Sequence, residues 1–299
     1  MKDIAMKLSV YATVETDVSF KNMTTLRIGG NASIVVYPSD LMALEQIMKI
    51  IDEYHVPYKI FGKGSNILCS DKDYKGVIIR FDRFLDKYYI DDDMIIAQAG
   101  CSIIALSYMA MNRSLSGLEW ASGIPGTLGG CIFMNAGAYK SSIKDVIKEV
   151  FVYKDNQFVW MKNDECDFAY RHSIFQDRKD ILILGAKLQL TNGNKDEIRA
   201  LMENRKERRM ASQPLNYPSA GSVFRNPENH QAWSLIDGIG YRGKQIGGAQ
   251  VSEKHVNFII NKDNATGTDF LELVSDIKVK VKDKYGIELH MEVEKFNWE

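Results

Sequence analysis

Residues 117–139 read GLEWASGIPGTLGGCIFMNAGAY, with six glycines in 23 residues. The apolar residues among them are too many for a flexible linker. Glycine allows the backbone to turn at positive φ or to approach a ligand closely. A Gly-rich segment also offers backbone N–H groups with few side chains in the way, which suits a phosphate or pyrophosphate. The stretch therefore points to a large nucleotide-like cofactor.

The chain has 299 residues, room for one domain and more naturally for two or three. Hydrophobic residues at 45% and charged residues at 26% describe an ordinary globular composition with a core of normal size. A net charge of −1 argues against a nucleic-acid surface as the main partner. The first residues, MKDIAMKLSVYATVETD, show no apolar h-region or small-residue cleavage pattern, so no signal peptide is expected. No apolar run approaches the ~18–20 residues that span a bilayer. Cys69, Cys101, Cys131 and Cys166 are widely spread and form no CxxC pair. They read as half-buried thiols in a reducing cytosol, with no metal site and no disulfide framework.

Elements become readable after residue 20. Ser33–Tyr37 is β-rich and closed by Pro38. Asp40 is placed to cap a helix whose Leu44, Ile47, Met48 and Ile51 share one face. Val56–Phe61 and Gly76–Phe81 read as strands, so the order β-α-β suggests an α/β layer. Met94–Ala99 predicts a strand, Ser102–Met111 a helix, and Val146–Trp160 and Ile181–Leu190 read as strand-like runs. Asp196–Ser212 predicts a helix carrying Arg205, Lys206, Arg208 and Arg209. Phe270, Val274, Ile277 and Val281 mark a late helix that Gly286 closes. The chain then alternates, with Ile287, Leu289, Met291 and Val293 on one face and Glu288, His290, Glu292 and Glu294 on the other.

Standard nucleotide motifs fail. Gly62-Lys63-Gly64-Ser65-Asn66 lacks the GxxxxGK[ST] pattern, and Ile67 stands where a dinucleotide fingerprint needs glycine. Alone it reads as a strand-end turn, yet Gly64, Ser65 and Asn66 could donate to a pyrophosphate. Ser222 lies in PSAGSVFRNP (218–227) without a GxSxG elbow. It is either a turn residue or a hydroxyl poised to give a proton. Arg171, in YRHS, is either solvated or an oxyanion stabiliser. Glu292 is either an exposed strand carboxylate or an acid.

In this order the motifs closely resemble the UDP-N-acetylenolpyruvoylglucosamine reductases, in their type II form. The matching segments are NMTTLRIGGNA (22–32), FGKGSNILCSD (61–71), the 117–139 run, YRHSI (170–174), YPSAGSVFRNP (217–227) and IGGAQVSEKHVNFIIN (246–261). The resemblance implies an α+β fold: a two-subdomain FAD-binding region of the PCMH type and a C-terminal α/β substrate-binding domain. Its bounds would be 1–84 and 85–193 for the two subdomains and 194–286 for the last domain, with a strand 287–299 returning to the active site. It implies FAD as cofactor, NADPH as co-substrate and no metal. The product would be a peptidoglycan precursor, which ties the chain to cell-wall synthesis, cell shape and division, in the cytoplasm and as a monomer.

Position by position, the resemblance puts the pyrophosphate on Gly62, Gly64, Ser65 and Asn66, with Thr25, Arg27, Gly29 and Gly30 nearby. Ile124, Pro125, Gly126, Thr127, Gly129 and Gly130 would pack against the flavin. Tyr217, Arg225, Asn226 and Lys244 would contact substrate. Arg171, Ser222 and Glu292 match the catalytic trio. Hydride would pass from flavin N5 to C3 of the enolpyruvyl group and a proton from Ser222 to C2. Two positions depart from many relatives, which place arginine where this chain has Glu294 and Gln245. Alternation would put Glu294 beside Glu292, where a like charge favours the protonated acid. Two other readings are a different flavoprotein of the same superfamily, such as an alcohol oxidase, and a non-catalytic nucleotide-binding module.

Overall fold

The structure is a computed structural model that describes residues 1–298. The chain forms two compact units. The first takes Met1–Thr16, Ile34–Lys63 and Gly76–Arg208; the second takes Asp17–Ser33, Gly64–Lys75 and Arg209–Glu299.

The first unit contains most of a four-stranded sheet, ordered Ala12–Ser19, Asn31–Pro38, Tyr74–Arg80, Tyr58–Phe61. Its last two strands are parallel, as a β-α-β path requires. Helix Leu41–Glu53 buries Ala43, Leu44, Ile47 and Ile51, and Asp40 caps it by accepting the Ala43 N–H at 2.8 Å. A five-stranded antiparallel sheet follows, ordered Gln157–Lys162, Ile147–Lys154, Leu182–Gln189, Met94–Gln98, Tyr88–Asp91. Its inward residues, among them Ile95, Val150, Val152, Leu184 and Leu188, join one continuous core with Ile34, Val36, Leu44, Val77 and Ile79. The helix expected at 102–111 spans Ile103–Asn112 with Ser102 as its cap.

Residues before 20 add helix Lys2–Leu8 and strand Ala12–Ser19. Two expectations need correction. The single run Val146–Trp160 is a hairpin that turns at Asp155 and Asn156, both at positive φ (50° and 59°). Short polar side chains tolerate that conformation, so Asp-Asn serves where Asn-Gly is the more recognisable signal. The terminal alternation ends at Val293: Val293 and Phe296 are buried while Lys295 is exposed, so the two-residue period breaks. The regular strand is only Glu294–Phe296, and it runs parallel to Ile67–Cys69. Glu299, the end of the expected 287–299 strand, lies outside the described residues.

The second unit packs helices Ala232–Gly238 and Gly267–Tyr285 with a three-stranded sheet, Gln245–Ile246, Ala249–Val251 and Ile259–Asn261. Its core unites Leu26, Ile28 and Leu68 with Phe224, Phe270, Ile277, Leu289 and Val293. Phe296 packs edge-on against Phe20 and Tyr74, with centroids 5.6 and 4.8 Å away. The long helix begins in a reciprocal capping box: Thr266 Oγ1 accepts the Asp269 N–H, and the Asp269 carboxylate accepts the Thr266 N–H. Asp71 accepts the next two amides, Gly267 N at 2.8 Å and Thr268 N at 3.2 Å. Gly286 ends the helix at φ 69°.

Asp71→Ala leaves helix-start donors without their acceptor, so urea unfolding should show a loss of about 1 kcal/mol. All four cysteines are buried. Burial pushes the Cys101, Cys131 and Cys166 thiols up to about 12 and raises Cys69 further. Native protein at about pH 8 should therefore resist a disulfide reagent that reacts at once with the unfolded chain; rapid labelling of the native state would contradict that burial.

Candidate functional site

The two glycine-rich stretches use their amides in opposite ways. In the first unit, helix Leu128–Phe133 starts inside the 117–139 segment. A helix start leaves its first amides without helical partners. Here Leu128 N donates to Cys101 O at 2.8 Å and Gly129 N to Ala99 O at 2.9 Å. Gly130 N donates to Thr127 Oγ1 at 3.2 Å. A Cβ on Gly129 would stand 2.9 Å from that of Ala99, so close packing explains this glycine. The amides of 128–130 are thus engaged within the protein. Just before them, Ile124–Gly126 is an irregular segment with Pro125 exposed, anchored by Ile124 N to Ala121 O and by Ile103 N to Gly126 O.

The 62–66 loop is the converse. Among the described residues the amides of Lys63, Gly64, Ser65 and Asn66 find no protein acceptor. Gly64 is nevertheless buried. A buried N–H without a partner costs about 1–3 kcal/mol, and a bound anion removes that cost. A side chain has no room here: a Cβ on Gly62 would meet Thr127 Oγ1 at 2.5 Å, and one on Gly64, at φ 61°, would meet Met23 O at 2.3 Å. Successive donors with no side chains in the way fit a pyrophosphate.

Lys63 is drawn aside by Asp82, with Nζ 3.3 Å from Oδ2. Arg80 grips the same carboxylate through Nε at 3.1 Å and Nη2 at 2.6 Å. Burial alone would raise the Asp82 pKa; Arg80 and Lys63 outweigh it and hold the group below the usual carboxylate range. Arg27 is exposed, at φ 56°, and its carbonyl accepts from Asn261 Nδ2 at 3.1 Å. Gly29 is buried, and Gly30 N donates to Ser70 O at 3.0 Å.

Arg171 sits at the corner of a tight turn in the first unit. Ala169 and His172 exchange two backbone bonds of 3.1 Å, leaving Tyr170 and Arg171 at the tip. Arg171 adopts φ 54°, an uncommon conformation for an arginine, and such outliers concentrate at functional positions. Its Nη2 donates to Gly137 O at 2.8 Å, and its guanidinium lies 5.2 Å from the Tyr170 ring centroid. Gln176 Nε2 braces the turn by donating to Arg171 O at 3.1 Å, and Asn135 Nδ2 does so by donating to Ala169 O at 2.7 Å.

Ser222 and Glu292 both belong to the second unit, and backbone pairing brings their segments together. Glu292 N donates to Val223 O at 2.8 Å and Arg225 N to His290 O at 2.9 Å. Ser222 follows Gly221, whose φ of 78° makes the turn, although a Cβ there would meet nothing within 4 Å. Thr25 Oγ1 holds the same loop upstream by donating to Ser219 O at 2.7 Å. Asn66 reaches across the strand pair: its Nδ2 donates to Glu292 O at 3.0 Å while its carbonyl accepts the Glu294 N–H at 2.9 Å.

The expected substrate contacts divide. Arg225 keeps a buried Nε with no hydrogen-bond partner among the described residues. Asn226 instead uses its Oδ1 to accept the Ala232 N–H at 3.0 Å, at the start of helix Ala232–Gly238. Tyr217 OH accepts from Lys262 Nζ at 2.7 Å. Lys244 is exposed. Sequence reading passed over Asn257, which is buried and makes three hydrogen bonds to residues 223 and 224. An asparagine inside the apolar run HVNFII was the available signal.

Residues 32–156 match an FAD binding domain family, and residues 213–296 match the UDP-N-acetylenolpyruvoylglucosamine reductase C-terminal domain. A protein of Anoxybacillus flavithermus named UDP-N-acetylenolpyruvoylglucosamine reductase is 41% identical over 283 residues, 94% of each chain. The Bacillus subtilis protein of that name is 39% identical over 274 residues. The crystal structure of the reductase from Thermus caldophilus superposes with a TM-score of 0.83 at 31% identity, covering 96% of this chain and all of that one. A solved alkyldihydroxyacetonephosphate synthase shares the fold over 64% of this chain and 44% of its own, with a TM-score of 0.50 at 15% identity. An FAD-binding region whose loop offers unpaired amides, joined to that C-terminal domain in one α+β chain, leaves neither an alcohol oxidase nor a non-catalytic module in contention: the chain belongs to the UDP-N-acetylenolpyruvoylglucosamine reductase family, flavin-dependent oxidoreductases of peptidoglycan-precursor synthesis.

Proposed function

We propose that the chain reduces UDP-N-acetylglucosamine enolpyruvate to UDP-N-acetylmuramate with NADPH, as a monomer in the cytoplasm. The observation that carries this reading is the pairing of the Ser222 and Glu292 segments through Glu292 N and Val223 O, 2.8 Å apart. It supports a serine and a carboxylate acting on one substrate group. The 62–66 loop and the 124–130 segment would hold FAD, which would supply the hydride for C3 of the enolpyruvyl group, with NADPH as the source of reducing equivalents.

The chain's own residues handle charge and proton. Hydride addition to the vinyl carbon drives negative charge onto the neighbouring carboxylate. Arg171, permanently cationic and held in a constrained turn, stabilises that charge, with Glu292 as a hydrogen-bonding partner. Ser222 Oγ gives its proton to C2 and recovers one from solvent. A serine hydroxyl is a weak acid, so it serves only beside a strongly basic carbon. Hydride at C3 and proton at C2 balance the reduction. The unpartnered Arg225 Nε, with Tyr217, Asn226 and Lys244, completes the proposed substrate contacts. No helix among the described residues is long and apolar enough to cross a membrane.

Ser222→Ala should leave flavin reduction by NADPH within about twofold of the parent and slow reoxidation by the enolpyruvyl sugar at least ~100-fold. Rapid-mixing absorbance of the flavin reads both steps, and two unimpaired half-reactions would sink the assignment. Gly64→Ala places a methyl group against Met23 O, so the purified variant should hold little flavin; a normal flavin-to-protein ratio would remove the loop from the cofactor site.

A further inference from the structure

We propose that Asn257 is a positioning residue for the proton transfer, fixing the segment that follows Ser222 so that its hydroxyl meets C2. The proposal rests on the reading of Ser222 as proton donor. Asn257 is buried and uses three of its polar groups on two consecutive residues. Its carbonyl accepts the Val223 N–H at 2.8 Å, and its Oδ1 accepts the Phe224 N–H at 3.0 Å. Its Nδ2 donates to Phe224 O at 2.9 Å. The Phe224 peptide groups are therefore gripped on both sides by one carboxamide, a complementarity that only an amide supplies.

The grip holds more than Ser222. Val223, immediately after the serine, gives its N–H to Asn257 and takes the Glu292 N–H on its carbonyl. Displacement of Val223 thus moves the serine and the Glu292 backbone together. Asn257 is itself held from behind, because its N–H donates to His255 Nδ1 at 3.3 Å. Burial, and secondarily the Arg242 charge, lowers the His255 pKa, so the ring stays neutral and Nδ1 stays an acceptor. Ser252 Oγ accepts the His255 N–H at 3.3 Å and the Lys254 N–H at 3.1 Å, which fixes the turn. Asn257 itself need touch neither substrate nor flavin; it acts through the geometry of residues 222–224.

The test compares Asn257→Asp with Ser222→Ala in the FAD-loaded enzyme. Aspartate keeps the acceptor for Phe224 N and loses the donor to Phe224 O. Misplacing a reacting group by about 1 Å costs on the order of 100-fold in rate. Flavin reduction by NADPH should stay within about twofold, while the limiting rate of reoxidation by the enolpyruvyl sugar falls at least ~tenfold at an unchanged half-saturating concentration. The solvent deuterium isotope effect on reoxidation should rise as protonation becomes slower. A purely structural role would depress both half-reactions and flavin content alike, with no change in the isotope effect, and would overturn the proposal. So would reoxidation at the parent rate in Asn257→Asp while Ser222→Ala is slow. Unimpaired reoxidation in Ser222→Ala would instead overturn the underlying reading of the serine. Should the aspartate variant fail to fold, Asn257→Ser gives the same readouts, its small hydroxyl removing the two-sided grip.

Discussion

Two backbone hydrogen bonds, Glu292 N to Val223 O and Arg225 N to His290 O, set the distance between the two segments of the second unit that carry Ser222 and Glu292. Neither segment is a long strand. The 222–226 loop turns on Gly221, and the 287–293 stretch meets Phe224 only through an isolated bridge at Met291. Short pairings of this kind are weak alone, since each backbone bond contributes about 1 kcal/mol net. They are held from three directions: by Asn257 on residues 223 and 224, by Thr25 on Ser219, and by Asn66 on Glu292. Beneath them Phe224, Leu289 and Val293 are buried in one core, so apolar burial supplies the energy and the polar clamps supply the register.

Glycine has two separate meanings in this chain. Both rich stretches satisfy the same compositional description, yet in one the helix-start amides are engaged by Ala99, Cys101 and Thr127, and in the other four successive amides face no acceptor among the described residues. Packing accounts for Gly129. In the loop at 62–66 the Gly64 N–H is buried, and a bound acceptor would offset the cost of leaving it unpaired. The loop lies within residues 32–156, which match an FAD binding domain.

Much of the fold was legible because it follows periodicity and caps. Helix 41–53 has its apolar face and its Asp40 cap; helix 267–285 has its face, its Thr266–Asp269 box and its closing Gly286. Elements whose signal is conformational rather than hydrophobic were not. The Asp155–Asn156 turn looks like the middle of a strand until its φ values are known. Ile67–Cys69 is too short for a period to register, and its partner Glu294–Phe296 lies more than two hundred residues away. The site was legible as residue types in motifs: Ser222 and Glu292 were named before their segments were known to pair. Asn257 was not, because its value lies in three bonds to main chain, and main chain leaves no mark on sequence.

Asn66 shows how far a residue's apparent role depends on which of its groups is followed. Its backbone N–H finds no acceptor among the described residues. Its side chain donates to Glu292 O, prolonging by one step the parallel pairing of 67–69 with 294–296. A substitution there leaves the N–H in place and removes the tether, so its first consequence falls on Glu292. Beyond Glu294 the alternation fails, since Lys295 rather than Phe296 takes the exposed position. Asn66 and the 67–69 strand instead capture residues 292–296 in a register of their own, through the side chain and carbonyl of Asn66 and the parallel pairing that follows.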